Sequence, residues 1–289
     1  MSRATAWLSA IRPKTLSMAV IPVVVATALA WQLHAVIDWL VFAMTLLAAV
    51  MIQIGTNLHN DASDFERGAD TQQRLGPARA TAQGWLSASV VKRGSLLAFV
   101  TAFAAGIYLV SVGGWPILLL GIAALVSGAA YSGGPLPLSY TSFSELFVYL
   151  FFGVAAVMGS YYLQTLELHW IAFVIGSALG MLAAAVLVVN NTRDIDADRH
   201  AGRRTLAVRF GTGFSSIEYL VLLMLPFLLP LVMSGDRFRW LPLLLLPWAV
   251  VLILRFFRQP HGVEMNSVLV QTAQLQLLFG VLVAVAFLL

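Results

Sequence analysis

Cysteine is absent and charge is scarce. The 289-residue chain holds no cysteine, so neither a disulfide framework nor a thiolate metal site can be built from it. Charged residues make up only 10% of the chain, against roughly 25% in a soluble domain. No low-complexity tract is present, and nothing resembles the alternating ~10-residue strands of an outer-membrane barrel. These absences exclude a soluble domain and a β-barrel, and with 60% hydrophobic residues they point to an integral membrane protein made of helices.

What is present in abundance is apolar length. Runs near ~18 residues or longer recur along the whole chain, each enough to cross a bilayer as a helix. The runs place spans at 15–33, 39–59, 93–111, 115–131, 144–163, 170–192, 214–233, 239–257 and 267–288. The expected fold is an all-α polytopic membrane bundle of about nine transmembrane helices, read as a single domain over 1–289. The weakest division is Gly113-Gly114-Trp115-Pro116, without which the third and fourth spans would merge into a segment too long for a bilayer. Ala26-Thr27-Ala28-Leu29-Ala30 imitates a signal-peptide cleavage site, but the apolar run is longer than a signal core, so the first helix is expected to be retained.

The seventeen Lys and Arg residues orient these spans. Fifteen fall before the first span, between the second and third, between the sixth and seventh, or after the eighth, and with nine spans all of these share one face. Only Arg237 and Arg239 fall on the other. The positive-inside rule makes the first face cytoplasmic, with the N-terminus inside, as in a bacterial-type cytoplasmic membrane. The net charge of +4 then reflects topology and attraction to anionic lipid, with no basis for nucleic-acid binding.

Two acidic clusters interrupt this apolar chain, and the same charge count sets both on the cytoplasmic face. The first is Asn57, Asn60, Asp61, Asp64 and Asp70; the second is Asn190, Asn191, Asp194, Asp196 and Asp198. Carboxylates at a membrane boundary are costly, so a recurring cluster marks a site. If the helices continue through them, Asn57, Asp61 and Asp64 share one face, as do Asn190, Asp194 and Asp198. Asp196 is half a turn off and faces solvent or an arginine, and Asp70 follows Gly68, where the helix should have ended. Asp61, Asp64, Asp194 and Asp198 are therefore the expected metal-facing acids, with Asp70 and Asn190 as weaker members. Simple pairing of each acid with its arginine neighbours is the plainer alternative, but surface pairs contribute too little to explain such a concentration. Paired hard oxygens suit Mg²⁺, which takes one or two carboxylates and completes its shell with phosphate and water. Arg67, Arg74, Arg79, Arg193 and Arg204 are candidates to grip a diphosphate.

The motifs carry a resemblance. Asn60-Asp61-Ala62-Ser63-Asp64-Phe65-Glu66-Arg67-Gly68-Ala69-Asp70 resembles the first aspartate-rich motif of the UbiA superfamily of intramembrane prenyltransferases, and Asp194-Ile195-Asp196-Ala197-Asp198 resembles the second. The flanks, including Arg12-Pro13-Lys14-Thr15-Leu16, Arg74-Leu75-Gly76-Pro77-Ala78-Arg79, Tyr131-Ser132-Gly133-Gly134-Pro135 and Gly202-Arg203-Arg204-Thr205-Leu206-Ala207-Val208-Arg209, resemble the 1,4-dihydroxy-2-naphthoate branch. Tyr131 is followed by Ser-Gly-Gly-Pro, without the lysine that several relatives carry, which argues mildly against a 4-hydroxybenzoate acceptor.

The resemblance implies a Mg²⁺-dependent transfer of a polyprenyl chain from its diphosphate to an aromatic acid, with loss of the naphthoate carboxylate. It implies catalytic roles for the four aspartates and Tyr131, whose ring, like that of Tyr149, could face an allylic cation. Asn57, Asn60 and Asn190 join the substrate-binding set, and Lys14 or a loop arginine could hold the acceptor carboxylate. Glu145 is placed near the active face. A cation-coupled transporter is the rival of another class, but such sites lie near the midplane in broken helices, whereas these clusters lie at helix ends.

Overall fold

The computed structural model of the chain describes residues 2–69, 75–233, 239–258 and 262–289, and all regular secondary structure among them is helical. A short helix, α1 (Arg3–Ile11), passes through Arg12 in a left-handed conformation (φ 56°, ψ 67°) into α2 (Pro13–His34). Proline suits that first helical position because its missing N–H would have had no partner there. The next helix, α3 (Trp39–Glu66), starts under Asp38, whose carboxylate accepts the N–H groups of Leu40 and Val41 at 2.9 and 3.0 Å. That cap satisfies donors a helix start otherwise leaves open. There follow α4 (Ala88–Ala130), α5 (Ser144–Thr165), α6 (Trp170–Arg193), the short α7 (Ile195–His200), α8 (Leu206–Val232), α9 (Leu241–Arg258) and α10 (Met265–Leu288).

Eight of these helices are long and apolar enough to cross a membrane. The longest, α4, has 43 residues; a straight helix of that length would reach about 65 Å, twice the ~30 Å hydrocarbon layer. It is not straight. Gly114 takes φ 67° and ψ −154°, a conformation that a Cβ would forbid, and breaks the helix. The chain then doubles back, for the ring of Phe99 in the first arm lies against both Gly55 of α3 and Gly128 of the second arm. Among the described residues eight helices thus give nine apolar segments, and the division of α4 falls at the Gly-Gly-Trp-Pro break. Tyr131, at the end of the returning arm, comes back to the pole where α3 ends. α3 itself runs to Glu66, past the expected end at 59, so Asn57, Asn60, Asp61 and Asp64 are carried on regular helix.

α5 and α6 approach until their backbones touch. A Cβ at Gly153 would lie 2.3 Å from the Gly176 carbonyl oxygen, and one at Gly180 would lie 2.3 Å from that of Tyr149. In lipid, where apolar burial between helices drives little, such small-residue contacts are what hold helices together. α5 widens into a π-turn over Leu150–Val154 at this crossing. Replacing Gly180 by leucine should therefore destabilise the bundle by about 3 kcal/mol or more, the upper range for over-packing. The check is the thermal midpoint of the purified protein in detergent. The main apolar core lies on the other side of α6, where Leu179, Leu182, Tyr219, Phe256 and Phe279 interlock. A smaller core under the 75–86 loop joins Ala6, Leu58, Ala80 and Leu86.

Candidate active site

The last turns of α3 and α6 converge on one cavity of about 610 Å³. Its polar pole is lined by Arg12, Asn57, Asn60, Asp64, Arg79, Tyr131, Asn190, Asn191, Asp194, Asp198 and Arg203. From there an apolar channel runs between the two arms of α4 and α5, past Phe103, Ile107, Leu118, Ile122, Phe147 and Phe151. Members of both clusters therefore meet at one cavity.

On α3 the cavity face is Asn57, Asn60 and Asp64. Asn57 is fixed by donating to the Ile11 carbonyl at 2.8 Å and to Thr15 Oγ1 at 3.1 Å. Asn60 donates to Asp64 Oδ2 at 3.1 Å and to Ser132 Oγ at 2.5 Å, while its Oδ1 accepts from Arg12 at 2.8 Å. Asp64 is fully buried. Its Oδ2 faces Arg203 at 3.1 Å and Arg79 at 3.7 Å, whereas Oδ1, also buried, has no hydrogen-bond partner among the described residues. Asp61 points elsewhere: it takes the N–H groups of Ala80 and Thr81 and does not line the cavity. This corrects the expectation that Asp61 faces a metal. Asn57–Asp61 and Asn60–Asp64 are both four-residue steps, and the loop that packs on Asp61 decides which aspartate looks inward.

On the second motif, Asn190, Asp194 and Asp198 line the cavity together, although the helix breaks at Asp194. Asp194 ends α6 and receives Arg193 through two charge-assisted bonds, Nε to Oδ1 at 2.8 Å and Nη2 to Oδ2 at 2.6 Å. Arg193 also holds Asn190 Oδ1 at 2.9 Å and Asn266 Oδ1 at 2.8 Å, so it orients the motif from behind. Asp196 is exposed and pairs with Arg199 at 3.4 Å.

Arg203 joins the motifs. It lies 3.1 Å from Asp64 and 3.5 Å from Asp198, over the ring of Tyr140 at 4.7 Å. Burial opposes its charge, but Asp64 and Asp198 more than offset that and hold its pKa above the ordinary arginine value. The arginine singled out from sequence, Arg204, is exposed and outside the cavity lining, with its N–H on the Tyr140 carbonyl at 2.8 Å. Arg12 likewise takes the place expected for Lys14, which is exposed and does not line the cavity.

Of the other expected residues, Arg79 lines the cavity. Arg67 donates to the carbonyls of Ser132 and Gly134, bracing the turn after Tyr131 rather than the cavity. The Tyr149 hydroxyl donates to Ser177 at 3.0 Å, outside the lining. Asp70 and Arg74 lie outside the described residues. Glu145 is buried beside the site and accepts from Asn191 at 2.8 Å and Ser144 at 2.7 Å.

The donor set at this pole fits a hard cation. It offers carboxylate and amide oxygens, among them the buried Oδ1 of Asp64, which makes no hydrogen bond to the described residues. Among the described residues, no three acidic or imidazole groups close into an ion cage.

A helical membrane bundle whose buried acidic pole opens on an apolar channel is the class that fold and site define. The UbiA prenyltransferase family matches the chain over residues 19–279, and the chain belongs to that family. It is 35% identical to the 1,4-dihydroxy-2-naphthoate octaprenyltransferase of Escherichia coli (strain K12), over 98% of this chain and 94% of the relative. It is 37% identical to the enzyme of the same name from Mycobacterium tuberculosis (strain ATCC 25618 / H37Rv), over 85% of this chain and 80% of the relative. In fold it is similar to a UbiA homolog from Archaeoglobus fulgidus bound to DMAPP and Mg²⁺, with TM-score 0.68, 14% identity, and coverage of 96% of this chain and 99% of that one.

Proposed function

We propose that this chain transfers a polyprenyl group from polyprenyl diphosphate to 1,4-dihydroxy-2-naphthoate, releasing diphosphate and CO₂, as a step of menaquinone biosynthesis. The single observation that carries the chemistry is the cavity: two aspartate motifs and three arginines at one end, an apolar channel at the other. The relatives that cover nearly the whole chain support the acceptor. The reading of a single domain over 1–289 is supported by the cavity, whose lining runs from Arg12 to Leu269. The polar pole faces the cytoplasm, in keeping with the Lys and Arg asymmetry.

The chain's own residues do the following. Asp64, Asp194 and Asp198, with Asn60 and Asn190, would hold Mg²⁺ at the pole. Bound there, Mg²⁺ would offset charge on the leaving diphosphate and favour C–O ionisation. Arg203, Arg79 and Arg12 present N–H groups to the phosphate oxygens or the acceptor carboxylate. The prenyl C–O bond breaks and its electron pair leaves with the diphosphate. The naphthoate carbon that carries the carboxylate bonds to the prenyl carbon, and the electrons of the broken C–CO₂ bond return to the ring. Channel side chains such as Phe147 and Phe151 exclude water from the cation, and Tyr131 lies at the mouth where its ring can face it.

The assay is purified protein in detergent with Mg²⁺, a polyprenyl diphosphate and a panel of aromatic acids. Prenylated naphthoquinol and CO₂ are expected with 1,4-dihydroxy-2-naphthoate, and EDTA should stop the reaction until Mg²⁺ is returned. Alkylation of 4-hydroxybenzoate but not of the naphthoate would reject the acceptor.

A further inference from the structure

Asp61 opens the first motif yet serves a different surface. Its Oδ2 accepts Ala80 N–H and its Oδ1 accepts Thr81 N–H, each at 3.1 Å. The Thr81 hydroxyl donates both to the carboxylate and to the Asp61 main-chain oxygen, the latter at 2.9 Å. Three donors on a fully buried carboxylate leave it little capacity for anything else. The segment it grips is a tight turn, closed by Gln83 N–H on the Arg79 carbonyl at 3.0 Å and Trp85 N–H on that of Ala80 at 2.9 Å. The far end of the same loop is fastened too. Asn266 of α10 donates to the Leu75 carbonyl at 2.8 Å while accepting from Arg193. Between the two fastenings stands Arg79, buried, with its guanidinium 3.7 Å from Asp64.

We propose that Asp61 is a positioning residue and not a metal ligand: it fastens the 78–81 turn to α3 so that Arg79 is presented at the diphosphate end of the cavity. This rests on the diphosphate reading above. A long arginine side chain has much rotamer freedom to lose on binding, and a fixed backbone at its root lowers that cost.

The test is binding on the full-length protein in detergent. Mn²⁺ alone is titrated by electron paramagnetic resonance, and an unreactive prenyl thiolodiphosphate is titrated separately by calorimetry. Asp61→Asn should weaken the thiolodiphosphate by about tenfold, the loss of one charge-assisted hydrogen bond, while Mn²⁺ affinity stays within about twofold. Arg79→Gln should show the same loss, and the double variant no further loss. Asp64→Asn should lose Mn²⁺ instead. Thr81→Val should reproduce the Asp61→Asn pattern and Thr81→Ser restore the wild-type one, which keeps the question answerable if Asp61→Asn does not fold. Loss of Mn²⁺ in Asp61→Asn to the extent seen in Asp64→Asn, or additive losses in the double variant, would overturn the assignment. Neither readout depends on the acceptor, so a wrong acceptor leaves the result standing. Wild-type protein that binds no thiolodiphosphate would reject the diphosphate reading and this assignment with it.

Discussion

Asp64→Asn is expected to reduce turnover by at least roughly 10³-fold, about 4 kcal/mol of transition-state stabilisation. The substitution is nearly isosteric, so the hydrogen bond from Asn60 can survive and the helix end keeps its shape. What goes is the charge. Asp64 faces two guanidiniums and presents its Oδ1 to the cavity. Without it, the pole loses one of the few hard ligands it can offer a divalent cation, whose charge at the leaving oxygen amounts to several kcal/mol. Stability also falls, because removing one partner of a buried ion pair costs about 3–5 kcal/mol. Steady-state kinetics with a thermal melt of the same preparation separates the two effects. A folded Asp64→Asn protein that turns over within tenfold of wild type would remove Asp64 from the chemistry.

The second large effect belongs to Arg203. Arg203→Gln should lower kcat/KM by about 10- to 100-fold, as expected for lost charge-assisted bonds to a buried site, while Arg204→Gln stays within about twofold as a surface change. Lysine should not rescue Arg203. A single ammonium cannot span Asp64 at 3.1 Å and Asp198 at 3.5 Å, as the planar fork does. Equal losses in the two glutamine variants would mean that the turn after Asp198 is not arranged as described.

These two arginines also show where sequence reading stops. The bundle was legible because a bilayer sets a length, and apolar runs of that length stand out. Even the α4 hairpin could be read, since a run of 43 residues must break and Gly114 is where it can. In the second motif Asn190, Asp194 and Asp198 step by four in the sequence and all three line the cavity, although α6 ends at Arg193 and Asp198 stands on α7. The first was ambiguous because a helix offers the same step twice, through Asp61 or through Asp64. The choice was made by Ala80 and Thr81, far along the chain, and periodicity carries no information about them. Arg203 and Arg204 are neighbours outside regular helix, and which one turns inward depends on Gly202 (φ 73°) and on Arg203 N–H closing onto the Asp198 carbonyl at 2.9 Å. Arg12 rather than Lys14 reaches the cavity for the same kind of reason, since a left-handed residue between two helices redirects its side chain.

The sharing of Arg203 between Asp64 and Asp198 has a thermodynamic side. A cation that approaches either carboxylate competes with a guanidinium already there. An anion that draws the guanidinium toward itself releases the carboxylates. Each ligand then raises the affinity of the other, and reciprocity requires the two factors to be equal. A pole wired in this way would take a cation or a diphosphate alone, and each more tightly once the other is in place.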